Sequence, residues 1–186
     1  MKKVFYIIIL LILTEVIFAS EDIYLNIDMP KKIKVGNNFT IEVYVNLSKN
    51  ISGFECSIDI PIYGTEYIQF INVTGNEEIK EKADEFYKIN LRNSSIFISF
   101  VLFDKPLNSD FHLLTVKGKA LKEGNITIRF TAIASDEEGR AITLSPIVYN
   151  LEIVGNNQDN YKKTDETIFS WIIKIISNFL KIIFGG

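Results

Sequence analysis

Few side chains in this chain are equipped for covalent or metal chemistry. The 186 residues include one cysteine, Cys56, and one histidine, His112. Single copies exclude an intramolecular disulfide, a Cys/His zinc cluster and a multi-histidine metal site. Cys56 alternates with Phe54 and Ile58 in an apolar strand pattern, which reads as a buried, inert thiol rather than a nucleophile. His112, beside Phe111 at the start of a predicted strand, reads as a surface or packing residue. The acidic run Asp136, Glu137 and Glu138 offers oxygen ligands of the kind calcium takes. It lacks the alternating spacing of an EF-hand loop and reads as a solvated turn. Glycoside hydrolysis needs two carboxyls facing each other across a cleft, and no such pair stands out. The expectation is a non-enzymatic protein with no cofactor and no bound metal.

Modification and binding are better supplied. Asn38, Asn46, Asn50, Asn72, Asn93 and Asn125 each begin an Asn-x-Ser/Thr triplet, where roughly two would arise by chance, so N-glycosylation is a candidate modification. The competing reading is an Asn-, Ser- and Thr-rich β surface that matches the pattern by composition. Outward aromatics on a sheet would let sugar rings stack, and Tyr44 and Tyr149 are the candidates for that. A formal charge of −3 removes the basic footprint by which nucleic-acid binders neutralise phosphates, so no nucleic acid is expected as partner.

The elements that position these residues fall into four segments. Lys2 and Lys3 precede an apolar run from Val4 to Leu13, and a small residue, Ala19, follows shortly after. This is the order of a secretory signal, predicted as a helix over residues 1–19 with cleavage after Ala19 and an exported, extracellular body. The alternative is a retained N-terminal anchor.

From Ile23 to Val154 the dominant period is two. Phe39, Ile41, Val43, Val45 and Leu47 share one face of a predicted strand, and Thr40, Glu42, Tyr44, Asn46 and Ser48 share the other. Further strands are predicted at 23–27, 54–60, 68–73, 96–103, 113–120, 126–133 and 147–154, separated by Gly- and Asn-rich turns. Apolar residues on both faces of 96–103 place that strand centrally or under a loop. A short helix or irregular excursion is predicted over 76–88, with Ile79, Ala83, Phe86 and Tyr87 on one stripe. Many short strands make an all-β two-sheet sandwich the favoured architecture for residues 20–155, with a barrel as the alternative.

Residues 156–166 are polar and read as a linker. Residues 167–184 are strongly apolar, and their polar positions, Lys174 and Lys181 among them, fall on one narrow helical stripe. The segment reads as a membrane-associating helix in which Trp171 and Phe179 enter lipid while Lys174 and Lys181 face water or acidic headgroups. A helix of this length, about 27 Å, barely spans a hydrocarbon core. A spanning anchor and a helix docked on protein compete with the in-plane reading.

The stretch 33–43, with Gly36 in the turn before its alternating strand, and Ile51-Ser52-Gly53-Phe54-Glu55 with the strand after it resemble the opening of a cohesin domain. Later parts are similar too: the strand 96–103 ending in an Asp104 loop, the strand 114–120, the Gly124 turn before Ile126, and 136–142 before the final strand. The resemblance covers about residues 23–154. It implies a nine-stranded jelly-roll sandwich with a protein-binding role; in the family one sheet face binds dockerin modules, and the partner expected here is an extracellular protein module, dockerin-like or other, or a glycan. After the Gly-apolar strand the family has a Tyr-Asp-Pro-like turn, where this chain has Ile60-Pro61-Ile62, and the polar contact position in that strand is Ser57, near Glu55. The functional expectation is an extracellular adhesion or scaffolding module held at the cell surface by its tail, with a carbohydrate-binding module or a small carbohydrate-active enzyme as the alternatives.

Overall fold

The computed structural model describes residues 23–155 and 170–173. The expected signal segment 1–19, the linker 156–166 and most of the 167–184 helix, including Lys174, Phe179 and Lys181, lie outside the described residues. Residues 170–173, with Trp171, are helical. Among the described residues no helix is long and apolar enough to cross a membrane.

The body is a sandwich of two sheets, not a barrel. Its strands are β1 (Ile23–Asp28), β2 (Lys32–Lys34), β3 (Asn38–Leu47), β4 (Gly53–Asp59), β5 (Ile68–Gly75), β6 (Lys88–Leu91), β7 (Ser95–Val101), β8 (Phe111–Ala120), β9 (Gly124–Ser135), β10 (Ala141–Thr143) and β11 (Ile147–Val154). Sheet A has the order β1-β3-β8-β5, and sheet B the order β2-β11-β9-β4-β7-β6 with β10 also on β9. All pairs are antiparallel except β11 with β2, where Ile153 sits opposite Ile33.

Eleven strands are present where the resemblance implies nine, and two of the breaks between them fall at a proline. Pro30 separates β1, on sheet A, from β2, on sheet B, so one run of chain serves both layers. Pro146 interrupts the run that pairs with β9 first as β10 and then as β11, since it has no N–H to give the ladder.

The alternating residues fill the space between the sheets. Ile41, Val43 and Val45 from sheet A and Phe54, Cys56 and Ile58 from sheet B are all buried, and no charged or polar residue is fully buried among the described residues. Phe39 needs the facing strand to lack a side chain, because a Cβ at Gly118 would overlap its ring. The 96–103 strand is narrower than its composition suggests. Ile96, Ile98 and Phe100 point inward, whereas Phe97 and Val101 stand on the outer face, and β7 lies beside the short edge strand β6 rather than in the middle of its sheet.

The helix α1 (Glu77–Ala83) is capped by Asn76, whose side-chain Oδ1 accepts from the Ile79 N–H at 3.1 Å while its side-chain Nδ2 donates to the His112 backbone carbonyl at 2.8 Å. Only part of the expected stripe is realised. Ile79 and Ala83 are buried, but Asp84 takes φ 47°, the chain tightens into a 3-10 turn, and Phe86 emerges exposed and stacked edge-on against Phe103 at 4.8 Å.

Candidate functional site

Three surfaces carry the polar and aromatic side chains singled out above. On the outer face of sheet A, β3 presents Glu42 and Tyr44, and β8 presents His112 and Thr115. His112 and Thr115 are three residues apart and on a regular strand would face opposite ways. A bulge brings them together: Val43 pairs with Leu114 and Tyr44 with His112, so Leu113 is an extra residue in β8. Leu113 and Leu114 both turn into the core, which rotates His112 outward beside Thr115. His112 Nε2 then lies 2.8 Å from Glu42 Oε2, the Thr115 hydroxyl donates to the same oxygen at 2.6 Å, and the Tyr44 ring packs edge-on against the imidazole at 5.1 Å.

This cluster is not arranged as a nucleophile–base–acid relay. The one ring nitrogen that faces the carboxylate also faces the hydroxyl, at 3.2 Å, so the imidazole cannot pass a proton from one side of itself to the other. The arrangement is a satisfied polar network that makes Tyr44 a fixed, 40% exposed ring. Tyr24, on β1, stands diagonal to it, since Tyr24 pairs with Asn46 two positions along β3, and Tyr24 is 50% exposed.

Tyr149 does not join them. It belongs to sheet B and lies on the inner side of β11, its ring edge-on to Phe130 at 6.0 Å and its hydroxyl donating to the Ile27 carbonyl at 3.2 Å. The reading of Tyr149 as an outward aromatic is therefore corrected. The period-two pattern of β11 puts Tyr149 with Leu151 and Ile153, not with the exposed Val148 and Asn150.

The second surface is the outer face of sheet B. Glu55 and Ser57 lie here on β4, with Asp59 beyond them. Across the ladder, Glu55 pairs with Ser99 on β7 and Ile133 on β9, and Ser57 pairs with Phe97 and Thr131. The face mixes exposed apolar groups, Val101, Ile133 and Val148, with Glu55, Asp59 and Arg129. Partial burial raises the Asp59 carboxyl above the ordinary carboxylate range, and the nearby Arg129 guanidinium opposes this. Beneath this face the Cys56 thiol is pushed up to about 12 by burial, with the charge of Asp59 adding to the effect. A thiol at that value is not a nucleophile at neutral pH.

The third surface is the acidic turn. Asp136 accepts from the Arg140 backbone N–H at 2.8 Å and its side chain at 2.7 Å, Arg140 also pairs with Glu138 at 2.8 Å, and Glu137 accepts from Asn50 at 3.0 Å. These carboxylates close a turn onto an arginine. Among the described residues no group of three His, Cys, Asp or Glu side chains is placed to hold a metal ion.

Five of the six glycosylation triplets begin at an exposed asparagine, namely Asn38, Asn50, Asn72, Asn93 and Asn125. Asn46 differs: it is half-buried, and its amide donates to Asp110 at 2.7 Å. Strand parity does not reveal the bulge at Leu113 or the Glu42–His112–Thr115 network. Two adjacent leucines inside an alternating strand, Leu113-Leu114, were the available signal.

Comparison with solved structures places this geometry. A cohesin module of a family 33 glycoside hydrolase from Clostridium perfringens superposes with a TM-score of 0.57 at 14% identity, over 74% of this chain and 100% of that one. A non-cellulosomal cohesin from the hyperthermophilic archaeon Archaeoglobus fulgidus gives 0.54 at 11% identity, over 74% and 96%. The cohesin–dockerin complex Coh-OlpC–Doc435 from Clostridium thermocellum gives 0.54 at 14% identity, over 73% and 97%. No family profile and no curated protein matches the sequence. The fold is cohesin-like.

Proposed function

We propose that this cohesin-like sandwich is a non-enzymatic protein-binding module, presented outside the cell and tethered there by the apolar segment 167–184, and that it engages its partner through the outer face of sheet B. The observation that carries this reading is the composition of that face. Val101, Ile133 and Val148 stay exposed on a flat, fully laddered surface with Glu55 and Ser57 among them, whereas the polar cluster on sheet A bonds to itself. A face on which exposed apolar groups are interspersed with charged and polar ones suits a protein partner. The dockerin complexes of the structural neighbours support a protein module as that partner.

Affinity capture with the full chain, using a cell-surface extract from the source organism, tests this. A retained protein should be lost when Ile133→Asp and Glu55→Lys are combined, and kept when the sheet A residue Tyr44 is changed to Ala. Capture that depends on Tyr44 and not on Ile133 would reverse the assignment of faces.

A second reading is glycan binding, favoured by the diagonal placement of Tyr24 and Tyr44 on sheet A. Two half-exposed rings on one flat face form a platform for sugar rings. Binding on a glycan array that is lost with Tyr24→Ala or Tyr44→Ala, together with no protein capture, would establish this reading in place of the first.

A further inference from the structure

One end of the sandwich exposes large apolar side chains that neither sheet face accounts for. The 3-10 turn Ile62–Glu66, between β4 and β5, holds Ile62 86% and Tyr63 63% exposed, and the β8–β9 turn adds Leu121 at 41%. This turn is braced from within. Gly64 is buried against Ile126, where a Cβ would overlap the isoleucine, and the Thr65 hydroxyl donates to the Ile62 carbonyl at 2.8 Å. The exposure of Ile62 and Tyr63 is thus built into the framework.

The same end is where the chain leaves the sandwich. The Val35 N–H donates to the Val154 carbonyl at 2.9 Å, the Gly36 N–H to Ala120 at 2.8 Å, and the Leu121 N–H to Tyr67 at 2.7 Å. These bonds link the last residue of β11 to the turn that carries Ile62. Ile23 leaves from the other end, where it pairs with Leu47. Basic groups outnumber acidic ones at the exit end by a small margin: Lys34, Arg92, Lys122 and Arg129 stand against Asp59, Glu66 and Glu123, with Asp59 opposite Arg129 and Glu66 already paired with Lys122 at 3.2 Å.

We propose that this end of the sandwich docks on an anionic bilayer surface, with Ile62 and Tyr63 entering the interface beside lysine and arginine side chains. The proposal rests on the reading of 167–184 as a membrane-associating segment. From Gly155 to Thr167 the chain spans at most about 40 Å, so a tail held in lipid keeps Ile62 and Tyr63 at high local concentration over the same surface. Two apolar side chains bind a bilayer weakly by themselves, but under that tether they suffice to orient the domain. The strands then stand on the membrane, and the outer face of sheet B opens sideways to a partner in solution.

The test uses the full chain with phosphatidylcholine vesicles, with and without phosphatidylglycerol. Cys56 is buried, so a cysteine introduced by Ile62→Cys takes an environment-sensitive fluorophore selectively, and Ser109→Cys serves as a control at the opposite end. Binding to anionic vesicles should brighten the label at position 62, expose it to quenching by shallow spin-labelled lipid, and leave the label at 109 unchanged. Combining Ile62→Ser with Tyr63→Ser should weaken vesicle affinity at least about tenfold, less than two fully buried apolar side chains would give because each enters the interface only in part, without shifting the thermal midpoint. Bound protein with a water-like label at 62 would overturn the docking and leave the tether standing. Failure of the full chain to sediment with vesicles would remove both. A concentration-dependent dimer that is lost in the double variant, with no effect on vesicle binding, would assign this end to self-association instead.

Discussion

His112 Nε2 stands 2.8 Å from Glu42 Oε2 across 70 residues of sequence, and Leu113, the extra residue in β8, is what makes the meeting possible. Both side chains are about one-third exposed, 32% and 30%, so the pair is screened and its coupling is modest. A double-mutant cycle with Glu42→Gln and His112→Gln, measured by urea unfolding, should give a coupling of about 0.5–1 kcal/mol. Thr115→Val should cost about 1 kcal/mol more, since Glu42 loses its hydroxyl donor. Additive single effects would show that the contact contributes nothing.

Val43 has no exposed surface and Thr40, on the same strand, faces water. Val43→Asp should abolish folding, because an unpaired charge in the core costs several kcal/mol against a total stability of about 5–15 kcal/mol. Thr40→Lys should leave the urea midpoint nearly unchanged. Equal midpoints for the two variants would mean that the two faces of β3 are exchanged.

Cys56 should be silent toward a thiol reagent at pH 8 in the native protein and react fully once urea unfolds it. Its thiol is raised by burial from 9.0 to about 12, so the folded state keeps the proton that the unfolded state loses. The sign follows: this group leaves stability unchanged below pH 9 and lowers it as pH rises from there toward 12. Prompt labelling of the native protein would contradict the burial.

Asp59 behaves in the same sense at acid pH. Its carboxyl is raised by burial, against the pull of Arg129, so the folded state holds the proton more tightly than the unfolded one. Stability from this group is therefore greatest when it is protonated and falls as pH rises through the carboxylate range. Asp59→Asn should raise the thermal midpoint at neutral pH, with the gain shrinking as pH falls below that range. A neutral-pH loss on substitution would show that the Arg129 attraction outweighs the burial.

Much of the sandwich is written in the period-two pattern. Every predicted strand exists, because one buried face per strand forces the alternation seen in Phe39 to Val45 and Phe54 to Ile58. The strands β2, β6 and β10 escaped notice. Each is three or four residues long with at most one partly buried apolar side chain, Ile33, Ile89 or Ile142, too little for a period to register. The candidate faces divide in the same way. Glu55, Ser57 and Tyr44 follow from strand parity, while the Glu42–His112–Thr115 network depends on a bulge that breaks parity. Tyr149 was misread because its polar hydroxyl can reach the Ile27 carbonyl from an inward-facing ring.

The parallel pairing of β2 with β11 also sets when the domain can finish assembling. Lys32 to Lys34 find their partners only at Glu152 to Val154, so β2 stays unpaired until nearly the whole domain has left the ribosome. Pairing of β1 with β3, by contrast, is available early in synthesis. Sheet A can therefore begin to form while β9 still shows an open edge that β11 will later cover. Closing contacts between segments this far apart in sequence are slow, and an uncovered β edge in the interval is a site for pairing with other chains. The last strand thus acts as a timer: a nascent chain stalled before Ile147 is aggregation-prone, and release of the final eight residues of the sandwich ends that vulnerability.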